Sequence, residues 1–416
     1  MKPSLLHSCT LLALAGLLVA VTHPARAEER LPGGMNVVRV EAEPAAVALR
    51  HPYDYRQILL TGQLQTGERV DLTRMARVEA DPKLVKVTPN GLIRPVSDGS
   101  GTVRYQVAGH SVTVPVNVSG LKKEYPVSFV GDVMPALSKI GCNAGTCHGA
   151  QQGKNGFKLS LRGYDPLFDH ISLTDDLEGR RFNRAAPERS LMLLKPSGAV
   201  PHVGGALFQP GDPYYELIKA WIAAGVKLDL GGLRVTSLEA TPRSAVLPLP
   251  GMKQQMAVLA KYSDGSSRDV TAEAFVESSN NEVATVDKQG LVSAVRRGEA
   301  TMLVRYEGSY AASTLAVMGD RSGFAWQEVP ELNYIDKLVD DKLKQVKILP
   351  SELCTDTEFI RRIYLDLTGL PPMTDDVRAF LADSRPSRVK REAMIDRLVG
   401  SPDYVEYWTN KWADLL

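Results

Sequence analysis

Residues 262–308 read YSDGSSRDVTAEAFVESSNNEVATVDKQGLVSAVRRGEATMLVRYEG, and residues 64–109 read LQTGERVDLTRMARVEADPKLVKVTPNGLIRPVSDGSGTVRYQVAG. Laid side by side, Asp71-Leu72-Thr73 falls on Asp269-Val270-Thr271, Val85 on Val283, Gly91-Leu92 on Gly290-Leu291, and Gly99 on Gly298. Internal self-similarity of this kind means one fold used twice. Short alternating β-branched runs such as Val112-Thr113-Val114, punctuated by Asp-Gly, Asn-Gly and Gln-Gly pairs, predict antiparallel strands in a sandwich. Neither copy gathers catalytic side chains. Asp264 and Asp269 read as turn and strand-end residues, with Ca²⁺ binding as the alternative.

The repeat resembles the bacterial Ig-like domain of group 2, a module of surface and adhesion proteins. That resemblance implies two all-β modules, expected at 36–119 and 234–318.

Between the copies lies a different composition. Val130, Val133, Met134, Leu137 and Ile140 recur at helical spacing and predict a short amphipathic helix leading into GCNAGTCHGA, residues 141–150. Residues 213–225, PYYELIKAWIAAG, have proline at a first turn and glycine past the stop, the ends of a second helix. Cys142, Cys147 and His148 form a C-x4-C-H cluster. Two thiols followed directly by an imidazole suit covalent haem attachment, although the usual spacing is C-x-x-C-H. A Cys142–Cys147 disulfide and a zinc site remain open beside it. If the group is haem, His202 in Pro-His-Val-Gly-Gly is the favoured distal iron ligand and Met192 the alternative, while His170 reads as surface or second layer.

The segment from 125 to 230 looks like the cytochrome c-like domain of planctomycete-type surface proteins, on GCNAGTCHG (141–149), GKNGFKLSLRG (153–163), SLMLLKPSGAVPHVGG (190–205) and WIAAG (221–225). This resemblance implies an α-helical class I cytochrome c-like fold and one haem c bonded to Cys142 and Cys147. His148 would be the proximal axial ligand, with Gly145 letting the longer loop bulge.

Residues 1–27 have the three parts of an export signal: Lys2, an apolar run from Leu11 to Val21, and Ala25-Arg26-Ala27. Cleavage is expected after Ala27, removing Cys9, and the product is expected in the periplasm or on the cell surface. Loss of Lys2 and Arg26 from 49 basic residues leaves 47 against 48 acidic ones, a balance that gives no reason to expect nucleic acid. No stretch is long and apolar enough to predict a membrane span.

Residues 326–416 turn to helical periodicity and form the last expected domain. RRIYLDLTGLPP, IDRLVGSPDY and YWTNKWADLL resemble the start of a helical domain of unknown function, carried by Arg361, Arg362, Asp366, Asp396 and Arg397, whose simplest role is ion pairing. Cys354 reads as an isolated thiol. The last residues sit inside an amphipathic pattern without a stop, so the chain is expected to be a fragment. The expected function is an exported electron-transfer protein with one covalent haem, whose partner is a redox protein or the attached C-terminal domain. The alternatives are a non-redox surface or adhesion protein stapled by Cys142–Cys147, and a haem oxidoreductase whose catalytic site lies in the C-terminal region, so that enzymic activity is undecided.

Overall fold

A computed structural model of the chain describes residues 29–176 and 179–416. The expected export signal lies outside them. The described chain is multidomain, with two β-sandwich-like modules, a helical stretch between them and a helical C-terminal region.

Strand for strand, the two modules are equivalent. In the first, Val37–Glu43, Leu59–Leu64 and Arg69–Asp71 form one antiparallel sheet, and Val47–Leu49, His110–Val118, Gly99–Val107 and Arg77–Glu79 form the facing one. A small third sheet joins Arg56–Gln57, Leu92–Pro95 and Val85–Val87. The second module repeats this order from Val235–Thr241 to Ser309–Val317. Each longest hairpin turns on a two-residue loop with positive φ at both positions, Ala108-Gly109 and Glu307-Gly308. That is the turn whose twist matches the flanking strands. Period-two alternation then sends Val103, Tyr105, Val114, Val116 and Val118 into the core. Gly298 has φ of 149°, and a Cβ there would lie 2.6 Å from a Val283 methyl, so the strand start next to Val283 leaves no room for a side chain.

The modules meet through a reciprocal exchange. Asp71 Oδ2 accepts from the Gln255 amide at 2.6 Å, and Asp269 Oδ2 accepts from the Gln57 amide at 2.7 Å. Each carboxylate's other oxygen caps its own chain, accepting from Thr73 N at 2.8 Å and from Thr271 N at 3.0 Å. Those threonines in turn accept from Leu60 N at 2.9 Å and Val258 N at 2.8 Å. Both carboxylates are almost fully buried, 3% exposed for Asp71 and 5% for Asp269. Burial pushes the Asp269 carboxyl above its ordinary range, against the pull of the Gln57 and Thr271 hydrogen bonds and the Arg56 charge. The apolar cores of the two modules form one continuous cluster around this contact. Asp269 is thus a strand-end and interface residue, bonded to backbone amides.

The middle stretch has its own core. A π-helical turn, Phe129–Val133, runs into Met134–Lys139; Pro166–Thr174, Leu191–Leu194 and Pro213–Ala223 follow. Phe129 stacks on Trp221 at 5.0 Å between ring centroids, and Leu137, Leu173, Leu193 and Ile218 close around them, all essentially inaccessible. The interior is filled by the stretch's own aromatic and aliphatic side chains. His170 is also no surface residue, since its Nε2 bonds the Val226 carbonyl at 2.7 Å and its ring meets Phe129 edge-on. The stretch grips both modules. Asp132 pairs with Arg268 at 2.6 Å, Tyr125 stacks on His51, and Glu273 receives hydroxyls from Tyr55 of the first module and Tyr214 of the middle stretch.

The C-terminal region, from Phe324, is a separate compact unit of the helices Tyr334–Gln345, Asp356–Thr368, Thr374–Ala382, Ser387–Leu398 and Pro402–Ala413. Capping boxes at Asn333/Asp336 and Thr355/Glu358 start the first two, and Gly369 in the left-handed region ends the second. Ile360, Phe380, Met394 and Leu398 form its core. Arg397 pairs with Asp376 at 3.0 Å, whereas Arg361, Arg362, Asp366 and Asp396 lie exposed. The deeper ion pair is one with no signal in the sequence, Asp356 with Lys390 at 2.7 Å and Arg391 at 2.7 Å.

Removing either interface carboxylate strands two buried amides, each costing about 1–3 kcal/mol. Asp71→Ala and Asp269→Ala are therefore each expected to lower stability by about 2–4 kcal/mol in urea unfolding of the full chain. A loss below about 0.5 kcal/mol in both would show that the exchange does not hold the modules together.

Candidate functional site

The C-x4-C-H loop is a compact turn closed by its own backbone. Cys142 N donates to Leu137 O at 2.9 Å, continuing the preceding helix, and His148 N returns to Cys142 O at 3.0 Å. Cys147 N and Gly149 N both donate to Ala144 O, at 2.9 and 3.1 Å. The residue that permits this closure is Gly149, where a Cβ would lie 2.0 Å from Asn143 O. Gly145, expected to provide the bulge, is exposed, and a Cβ there would meet only a Leu161 methyl at an ordinary 3.7 Å.

Cys142 packs against the apolar core, while Cys147 lies half-buried on the loop. Both are free thiols, as is Cys354. Burial, reinforced by the neighbouring Cys147, pushes the Cys142 thiol up to about 12. A thiol this far from ionising behaves as a small apolar side chain.

His148 Nδ1 bonds the Phe157 carbonyl at 3.1 Å, and its ring lies 4.4 Å from the Phe157 ring. Burial holds the imidazole below its ordinary pKa, opposed by the Phe157 carbonyl and aided by the charges of His202, Arg181 and Lys195. His202 Nδ1 bonds Gly205 O at 3.1 Å within its own loop. Met192, the alternative distal ligand, is buried in the core beside Leu193. Among the described residues, no three His, Cys, Asp or Glu side chains gather as a metal-holding group. Also among them, no helix is long and apolar enough to cross a membrane.

Two family models match parts of the chain. Residues 234–304 match the bacterial Ig-like domain (group 2), and residues 334–416 match PSCyt2, described as a protein of unknown function (DUF1549). Among curated proteins, Ice-binding protein 1 of Shewanella frigidimarina is 38% identical over 71 residues, which cover 17% of this chain and 8% of that protein. The chain thus spans under a tenth of the curated relative it matches. Among solved structures, two of the surface layer protein SbsC are similar, one of domains 1–6 and one of domains 5–6. The first is 12% identical over 71% of this chain and 30% of that one, with a TM-score of 0.20. The second is 10% identical over 69% of this chain and 100% of that one, with a TM-score of 0.27. Scores this low do not bear on the fold.

These matches correct the electron-transfer expectation, and with it the cytochrome, iron and metal-binding roles. What the chain resembles is an Ig-like module, a helical region of unknown function and an ice-binding protein.

At pH 8 a thiol with a pKa near 12 is ~10⁻⁴ ionised, against about a quarter for free cysteine. In the fully reduced chain, iodoacetamide is expected to alkylate Cys142 at least roughly 100-fold more slowly than free cysteine when folded, and comparably in urea. Equal rates in the folded state would place the thiol outside the core.

Proposed function

We propose that this chain is a non-redox protein of the cell surface, in which the paired Ig-like modules form a rigid spacer. The single observation that carries this reading is the reciprocal exchange of buried carboxylates and amides between the modules. A hydrogen-bonded, desolvated contact continuous with both cores fixes the angle between them, whereas tandem modules on an open linker would flex. The match of the second module to the bacterial Ig-like family, and the shared 71 residues with an ice-binding protein, support an exported or surface location. Export through cleavage after Ala27 is part of the proposal. Cys142 and Cys147, neighbouring thiols on one closed turn, are the staple such a protein can close in an oxidising compartment.

Two measurements test it. Protease treatment of intact cells, followed by antibody detection, is expected to remove the protein; full protection from protease, together with recovery in the cytosol, would reject the surface reading. Mass spectrometry of the peptide from Cys142 to Lys154, taken from protein made alongside a haem-attachment system, is expected to show the unmodified or the two-hydrogen-lighter mass. A haem adduct on this peptide would overturn the non-redox reading.

A further inference from the structure

The two modules part company at one seam. In the second module, Thr314 N donates to Arg243 O at 3.1 Å and Ser313 Oγ donates to Pro242 O at 2.6 Å, tying the strand Ser309–Val317 to the segment beside it. The parallel ladder there pairs Ser244 with Thr314 and ends with Leu247 against Val317. Counted back from the matching end of the first module's ladder, Leu49 against Val118, the equivalent positions are Val114 and Pro115. Valine has no hydroxyl, and proline has no N–H to give. The first module's ladder accordingly starts one residue later, with Val47 against Val116, and the carbonyls of Pro44 and Ala45 lack the donors that serve Pro242 and Arg243.

A groove of about 530 Å³ lies at this seam. It is lined by Glu41, Glu43 and Ala45 from the first strand and the bend after it, by Thr61 and Arg69 from the neighbouring strands, and by Thr113 from the last. Ala45 stands where the second module has Arg243, whose guanidinium reaches Glu239, the counterpart of Glu41, at 3.8 Å. The first module has no such arm to lay across the opening. A volume of this size falls within the range of small-molecule sites.

The polar lining is rich in acceptors. Glu41 is matched twice, by Arg39 at 2.8 Å and by Arg69 at 3.6 Å. Among the described residues, Glu43 has no ion pair or hydrogen bond, and the hydroxyls of Thr61 and Thr113 have no partner. The groove thus offers one uncommitted carboxylate and two hydroxyls, against a single guanidinium that already has a partner. A primary ammonium brings three donors and one positive charge, which suits the carboxylate, while ligand hydroxyls suit threonines, which both donate and accept. An alkyl ammonium such as a lysine side chain would leave both threonines unmatched and most of the volume unfilled.

We propose that this seam binds an amino sugar in its protonated form, with the ammonium group at Glu43 and ring hydroxyls at Thr61 and Thr113. The second module, closed by Ser313, Thr314 and Arg243, does not share the site.

Calorimetric titration of the full chain with glucosamine, at about pH 6 and fixed ionic strength, tests this, with N-acetylglucosamine and Nα-acetyl-lysine amide in parallel. Glucosamine is expected to bind saturably, one per chain. N-acetylglucosamine keeps the ring and loses the charge, the lysine amide keeps the charge and lacks the hydroxyls, and each is expected to bind severalfold more weakly. Glu43→Gln is expected to weaken glucosamine binding about fivefold. Ala45→Arg, which gives the exposed bend the second module's residue, is expected to weaken it by more than that, and Thr113→Val, which adds no bulk, severalfold. No saturation by glucosamine below about 10 mM, equal affinity for either parallel compound, or native affinity in both Glu43→Gln and Ala45→Arg would overturn the assignment.

Discussion

Two carboxylates, each accepting a backbone amide from the other module, organise the described residues between 29 and 323. Asp71 reaches Gln255 and Asp269 reaches Gln57, across separations of 184 and 212 residues. Because each carboxylate also caps the turn that follows it, the interface and the local fold draw on the same two groups. A buried carboxylate with several amide partners is worth far more satisfied than half satisfied. The contact is two-fold in character, the repeat meeting itself inside one chain much as identical subunits meet in a dimer.

The middle stretch completes this arrangement. Glu273 is touched by a tyrosine from the first module and another from the middle, and Asp132 answers Arg268 of the second module. The helical stretch is therefore a wedge between the modules as well as a link in the chain. Its core of stacked Phe129 and Trp221 makes it rigid enough for that work.

Much of this was legible in the residues. Alternation and turn pairs revealed both sandwiches, since strand period and turn chemistry are encoded within a few positions. Proline and glycine placed the ends of the Pro213–Ala223 helix, and Val130 to Ile140 did form a helical run, though its first turn is π-helical. The cysteine loop misled for a physical reason: spacing records which atoms can approach one another, and it does not record which side chain the core will take. Cys142 went to the core, and Gly149, an ordinary residue in the string, proved to be where the loop needs glycine.

By itself, then, the sequence determined the repeat, the strand or helix character of each segment and the ends of the Pro213–Ala223 helix, all of which arise from contacts a few residues apart. Only the tertiary structure decided that Asp71 and Asp269 face one another's modules, that Asp356 gathers Lys390 and Arg391, and that the Arg181 guanidinium lies over the Phe157 ring. Such pairings depend on which surfaces close together after the elements form. Burial then sets the value of each polar group by the partners it finds there.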